Sequence, residues 1–196
     1  SIYLFYGPEE FLKKYYLNSI EEKILDKNTL AFNKIILEDK ISVSKIIDNC
    51  DTLPVFSERK LVIVKNSEFF KGSKDSKRDN KNKEEKDEVK MENKTKKSKS
   101  NVDTILEYIK NFPSYTCLVF YEDEIDKRLK LTKEIGKQGL IVEFPYQKSE
   151  DLVKWVQNIA KSYKKQISVE TASLLVEISD FGMTGIRNEI DKLLAY

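Results

Sequence analysis

The residues best placed to do chemistry open the chain. Gly7-Pro8-Glu9-Glu10-Phe11-Leu12 follows the apolar run Ile2-Tyr3-Leu4-Phe5-Tyr6 and leads into a helical pattern. A glycine between a strand and a helix is where a nucleotide-binding protein sets its phosphate loop. Such a loop needs further glycines for close backbone approach, and a Lys-Ser/Thr pair for the phosphates and magnesium. Here the loop is short, the Lys-Ser/Thr pair is missing, and Pro8 lacks an N–H donor. Glu9 and Glu10 place negative charge where a triphosphate would lie, and they suit the helix N-terminus by themselves. The loop is therefore expected to be degenerate, with no nucleotide and no cofactor. A second acidic run, Glu122-Asp123-Glu124, ends a later strand. Without a phosphate loop it is expected to be a solvated turn rather than a metal site.

Composition narrows the chemistry further. The chain has no histidine, which excludes Ser-His-Asp and Cys-His pairs, an imidazole base and a His-ligated metal. Cys50 and Cys117 stand far apart with no CxxC neighbour, so neither a zinc site nor a dithiol redox motif is present. Two isolated thiols suit a reducing cytosol. No apolar run approaches the roughly 20 residues of a membrane span. The opening residues lack the charged start and small-residue cleavage site of a signal peptide. They enter a strand with no lead-in, as expected of a chain that begins inside a longer one.

The elements that must position these residues alternate along the 196-residue chain, which is 40% hydrophobic and 35% charged. Short apolar runs at 2–6, 34–38, 60–65, 116–121 and 140–144 are expected strands, the first of them buried. Pro8 is expected to open the first helix, with Leu12, Tyr16, Ile20 and Ile24 on one apolar face beside Leu17. Ser42 is expected to cap a helix through Cys50. Further helices are expected over 102–112, stopped by Pro113, and over 127–137, ended by Gly136 and Gly139. Strand and helix in this rhythm predict a parallel sheet with helices on both faces, though not its strand order. From Ser149 three helices follow with no strand between, over 149–164, 168–180 and 184–196. Ser149 and Ser168 are their expected starts.

Residues 71–101 break the pattern. They hold 12 of the 35 basic and 7 of the 33 acidic residues, so the rest of the chain is net acidic by three. Val89 and Met91 are their only apolar residues. Such a tract cannot bury enough surface to offset ordering entropy, and is expected to be a disordered insertion. Mixed-charge runs are as a rule solvated. The functional alternative is a nucleic-acid-binding domain that uses these lysines.

Several segments together resemble the delta subunit of the bacterial DNA polymerase III clamp loader. They are the opening 2–12, the run Thr52-Leu53-Pro54-Val55-Phe56-Ser57-Glu58-Arg59-Lys60-Leu61-Val62-Ile63-Val64-Lys65-Asn66, Asp126-Lys127-Arg128-Leu129-Lys130 with Gly139–Phe144, and the ending from Gly185 through Asn188-Glu189-Ile190 to Tyr196. The resemblance covers the chain apart from the charged insertion. It implies an AAA+-like α/β domain over 1–147 that has lost ATP binding, at the degenerate loop Gly7, Pro8, Glu9 and Glu10. A three-helix lid over 148–196 follows, and the family's C-terminal collar domain is expected to be absent. It further implies a non-catalytic subunit of a DNA-directed DNA polymerase holoenzyme, cytoplasmic and nucleoid-associated in a bacterium. Its partners would be the sliding clamp (the beta subunit), the tau/gamma and delta prime loader subunits, and primed DNA through the complex. Its action would be to bind the clamp and hold the ring open for DNA replication.

Carried over, the family's clamp-contacting hydrophobes fall on Val55 and Phe56, with Leu53 and Pro54 shaping the turn. Composition alone makes Phe56 a core residue at the end of the sheet; the resemblance reverses that reading. Pro54 ends the preceding helix and leaves the pair outside any helix or strand period, so it can be presented rather than buried. Two other residues invite functional readings. Arg187 resembles a phosphate-sensing lid arginine, but is expected to pair with Glu189 or Asp191. Trp155, beside Leu152 and Ile159, is expected in the lid core.

Overall fold

Successive side chains of a strand point to opposite faces, so continuous apolar runs build a sheet with two buried faces. In the computed structural model, which describes residues 1–38, 41–72, 101–179 and 182–195, the five strands are β1 (Ile2–Tyr6), β2 (Lys34–Glu38), β3 (Lys60–Lys65), β4 (Thr116–Glu122) and β5 (Leu140–Glu143). They form one parallel sheet in the order β2-β3-β4-β1-β5. Leu4, Val62, Val64, Leu118 and Phe120 point to one face. Phe5, Leu61, Ile63, Cys117 and Val119 point to the other. Each such side chain, fully buried, contributes about 1.5–3 kcal/mol. The expected disorder of 71–101 falls almost wholly outside the described residues.

Helices cover both faces. On the first lie α3 (Val43–Asp51), α4 (Asn101–Lys110) and α5 (Lys130–Gln138), through Ile46, Ile105, Ile109, Leu131 and Ile135. On the second lies α1 (Glu10–Ile24), through Leu17, with the short α2 (Leu30–Asn33), absent from the sequence reading, just before β2. Three helices then follow, α6 (Ser149–Ser162), α7 (Val169–Ile178) and α8 (Gly182–Leu194). They bury their own apolar cluster, including Val156, Ala172, Ile186 and Ile190.

Several expected boundaries move. Pro8 precedes α1 instead of opening it, because Glu9 takes the cap and accepts from the Phe11 N–H. On α1 Tyr16 is half-exposed, its ring tilted against that of Phe144, whereas Lys13 is buried. The helix expected from 127 begins at Lys130, after a turn in which Asp126 accepts from Leu129, and Gly136 lies inside it. Ser149 is the first residue of α6 rather than its cap, a place held by Lys148, while Ser168 caps α7 as expected.

Candidate functional site

The two ends of a parallel sheet are chemically distinct. Helices begin at the carboxyl ends of the strands, and small ligands in such folds bind there, where the strand order reverses. Here that point lies between β1 and β4, and the Gly7 loop stands at it. Gly7 has φ +118°, and a Cβ would come within 2.4 Å of the Phe144 carbonyl oxygen, so only glycine fits. The loop's own donors are engaged. Gly7 N–H donates to Asp123 O and Glu9 N–H to Phe144 O, each at 3.0 Å, and Pro8 has none to give. The backbone that would cradle a phosphate is turned into the fold.

Side chains occupy the space next to the loop, beside an open pocket lined by Glu10, Lys14, Lys65 and Tyr121. Glu9 is 2% exposed; one oxygen takes the Phe11 N–H and the other the Met183 N–H at 3.4 Å. Its carboxylate thus sits across the N-termini of α1 and α8, an arrangement favoured by both helix dipoles. Gly182 allows the approach, with φ +56° and Glu9 Oε2 3.0 Å from where a Cβ would stand. Phe11 completes the junction edge-on to Trp155, ring centroids 5.1 Å apart. Trp155 is therefore shared between lid and α1 rather than confined to the lid core. Lys13 is fully buried, a feature the sequence reading missed, since lysine ordinarily counts as solvent-facing. Its ammonium donates to Glu122 O and Asp123 Oδ1, pairs with Glu10 and lies 4.7 Å from the Tyr121 ring centroid.

The acidic run departs from the expected solvated turn at Glu122 alone, Asp123 and Glu124 being exposed. Glu122 is buried and accepts from both the N–H and the hydroxyl of Ser67. Burial raises its pKa above the ordinary 4.5, opposed by the Ser67 hydrogen bonds. A carboxyl raised on folding binds its proton more tightly in the native state, so its charge costs stability above the native value and the cost is relieved as pH falls through it. Glu122→Gln keeps an acceptor for Ser67. It should melt above the wild type at pH 8 and converge with it as pH falls towards 4.5, read from melting curves across pH. Among the described residues no acidic or cysteine group is arranged to hold a metal. Cys50 and Cys117 are buried free thiols, and burial pushes Cys50 up to about 12. Arg187 pairs with Asp191 at 2.8 Å, as expected of it, and reaches Tyr163.

The opposite end of the sheet carries the apolar tip. Leu53, Pro54, Val55 and Phe56 form the loop between α3 and β3, clear of the helix. Leu53 is 69% exposed and Phe56 92% exposed, so Phe56 is no part of the core. Phe56 also holds φ 51°, a left-handed backbone that a bulky side chain rarely adopts. An aromatic ring held in solvent by a strained backbone requires that the surroundings fix the loop.

They do so through the end of α3. A helix leaves its last carbonyls without partners. Here Asn49 O and Thr52 O accept from the buried Lys60 ammonium, Cys50 O from the Thr116 hydroxyl and Asp51 O from the Tyr115 hydroxyl. All three donors stand at the starts of β3 and β4. Desolvation lowers the Lys60 pKa, opposed by Cys50 and Asp51. Lys60→Met leaves two carbonyls unpaired and should cost about 1–3 kcal/mol, read by denaturant unfolding. From the other side, the buried Asn33 carboxamide brackets Val55. Val55 N–H donates to Asn33 Oδ1 at 2.7 Å, and Asn33 Nδ2 donates to Val55 O at 2.9 Å.

Fold and loop together define an AAA+-like module in which glutamate and lysine side chains pack around the first loop. The comparisons agree. A solved structure, Bacillus subtilis DNA clamp loader delta protein (YqeN), is similar with TM-score 0.68 and 27% identity, over 99% of this chain and 52% of that one. The RuvB Holliday junction branch migration motor of Thermotoga maritima shares the fold alone, with TM-score 0.53 and 12% identity over 97% of this chain and 53% of that one. The family model described as DNA polymerase III, delta subunit, matches residues 3–90. The chain is 28% identical over 198 residues to DNA polymerase III subunit delta of Bacillus subtilis (strain 168), covering 100% of this chain and 52% of that protein. The resemblance to the clamp-loader delta family read from the sequence is thereby borne out. The chain spans about half the length of these two delta relatives.

Proposed function

We propose that this chain is the clamp-binding part of a clamp-loader delta subunit in the replicative DNA polymerase III holoenzyme. Leu53, Pro54, Val55 and Phe56 form its contact, and it holds a sliding clamp open for loading on primed DNA. The observation that carries the reading is Phe56, a phenylalanine 92% exposed on a loop anchored by four helix-end carbonyls. The degenerate loop gives this part a scaffold role without ATP hydrolysis. Within the loader its partners would be the tau/gamma and delta prime subunits.

Binding of the chain to a purified bacterial clamp at low and high salt tests this. An apolar plug predicts affinity nearly constant between 50 and 500 mM salt, because hydrophobic burial releases no counterions. Loss of clamp binding at every salt, together with salt-steep DNA affinity that disappears on deleting 71–101, would favour the nucleic-acid-binding alternative instead.

A further inference from the structure

We propose that Asn33 is the positioning residue of the apolar tip: its carboxamide stands in for a neighbouring strand and holds Val55 so that Phe56 stays turned to solvent. The inference rests on the clamp-binding reading for its consequence, not for its geometry.

Four observations meet at Asn33. It is 1% exposed, although nothing in its own helix requires an asparagine there. Its carboxamide makes the two-way exchange that one strand residue makes with another, accepting the Val55 N–H and donating to the Val55 carbonyl. These partners fix which end of the amide is oxygen, since an N–H must face an acceptor and a carbonyl a donor. The same Nδ2 also donates to Thr29 O at 3.2 Å, tying the carboxamide to the cap of α2. Finally, Val55 immediately precedes Phe56, whose left-handed φ of 51° needs an external constraint.

The consequence is mechanical. The loop has no ladder partner of its own; beyond Phe56 the Ser57 hydroxyl closes a local turn with the Arg59 backbone, and β3 begins at Lys60. Lys60, Thr116 and Tyr115 fix the loop's start. Asn33 fixes its middle. Releasing the middle lets Phe56 relax from φ 51° and fold its ring against the protein. A partner must then meet the tip after re-ordering it, which lowers apparent affinity by the fraction still presented. Aspartate at this position keeps the size and the acceptor, but turns a carboxylate oxygen towards the Val55 carbonyl.

The test uses the chain with Asn33→Ala, Asn33→Asp, Phe56→Ala and the Asn33→Ala, Phe56→Ala pair. Amide hydrogen exchange at Val55 and tryptic cleavage after Arg59 report the loop without any partner. Surface-immobilised clamp reports affinity. The expected result is exchange and cleavage about tenfold faster in both Asn33 variants, and clamp affinity about tenfold weaker, the weight of one to two net hydrogen bonds. The affinity loss should shrink below about twofold in the Phe56→Ala background, because a brace matters only while there is a ring to present. A role confined to general stability would instead give the same loss in both backgrounds. That result, or unchanged exchange at Val55 in Asn33→Asp, overturns the proposal. If the wild type fails to bind clamp, the functional reading fails, and the exchange and cleavage arms still decide whether Asn33 positions the tip.

Discussion

Phe56→Ala, combined with Val55→Ala, is expected to weaken clamp binding by about two to three decades while leaving the fold intact. Burying both side chains in a partner's pocket contributes roughly 3–4 kcal/mol, which converts to that range of affinity. Neither side chain packs in the core, and Phe56 is 92% exposed, so the change in folding stability should stay within about 0.5 kcal/mol. The backbone supplies a sharper version. Phe56 carries a left-handed φ of 51° without glycine's freedom. Phe56→Gly removes that penalty, about 1–2 kcal/mol before glycine's added unfolded-state entropy is subtracted. The glycine variant should therefore bind clamp no better than alanine yet melt at or above the wild-type temperature. A residue kept for packing would behave in the opposite way. Parallel clamp titrations and thermal melts read both sides of this prediction.

Glu9→Ala is expected to loosen the lid. It deletes the acceptor for Phe11 N–H and for the buried Met183 N–H at once. Hydrogen bonds to a charged acceptor are worth about 1.5–3 kcal/mol each at good geometry. At 3.3 and 3.4 Å these two are long, so about 2 kcal/mol together is a reasonable expectation. That lowers the melting temperature by about 4–8 °C in a chain of this size. Trp155, the only tryptophan, packs against Phe11 across the same junction and gives an optical readout. Its emission should shift to longer wavelength in Glu9→Ala before global unfolding, as water reaches the ring. A melting point within a degree of wild type and unchanged emission would show that the apolar contacts of Phe11 and Leu12 with the lid suffice without the carboxylate.

The strands were legible because each is a short apolar run bounded by turn or charge signals, most continuously apolar in the central β3 and β4, which are buried on both faces. Their order was not, since periodicity records which residues face inward but not which strand lies alongside. The lid was legible from three amphipathic segments with no strand between. The two sites were legible unequally. Missing lysine and glycines led to the expectation of a degenerate Gly7 loop, but not to the side chains that pack around it. Lys13 and Glu122 are charged residues, and only burial reveals that they are internal. At the other end, Leu53 to Phe56 stood out through family resemblance and the break at Pro54. What holds them did not stand out. Asn33, Lys60, Tyr115 and Thr116 lie up to 83 positions apart in sequence, and only the sheet topology gathers them around one loop. A buried asparagine before a strand carries no distinguishing pattern until its carboxamide is seen to meet Val55.

The most direct test of the central claim is a calorimetric titration of a purified bacterial sliding clamp into the wild-type chain and into the folded Val55→Ala, Phe56→Ala variant. Binding by the wild type, with a negative heat-capacity change and a loss of at least tenfold in the variant, is the result the account predicts. A folded wild type that does not bind, or a variant that binds equally well, would contradict it.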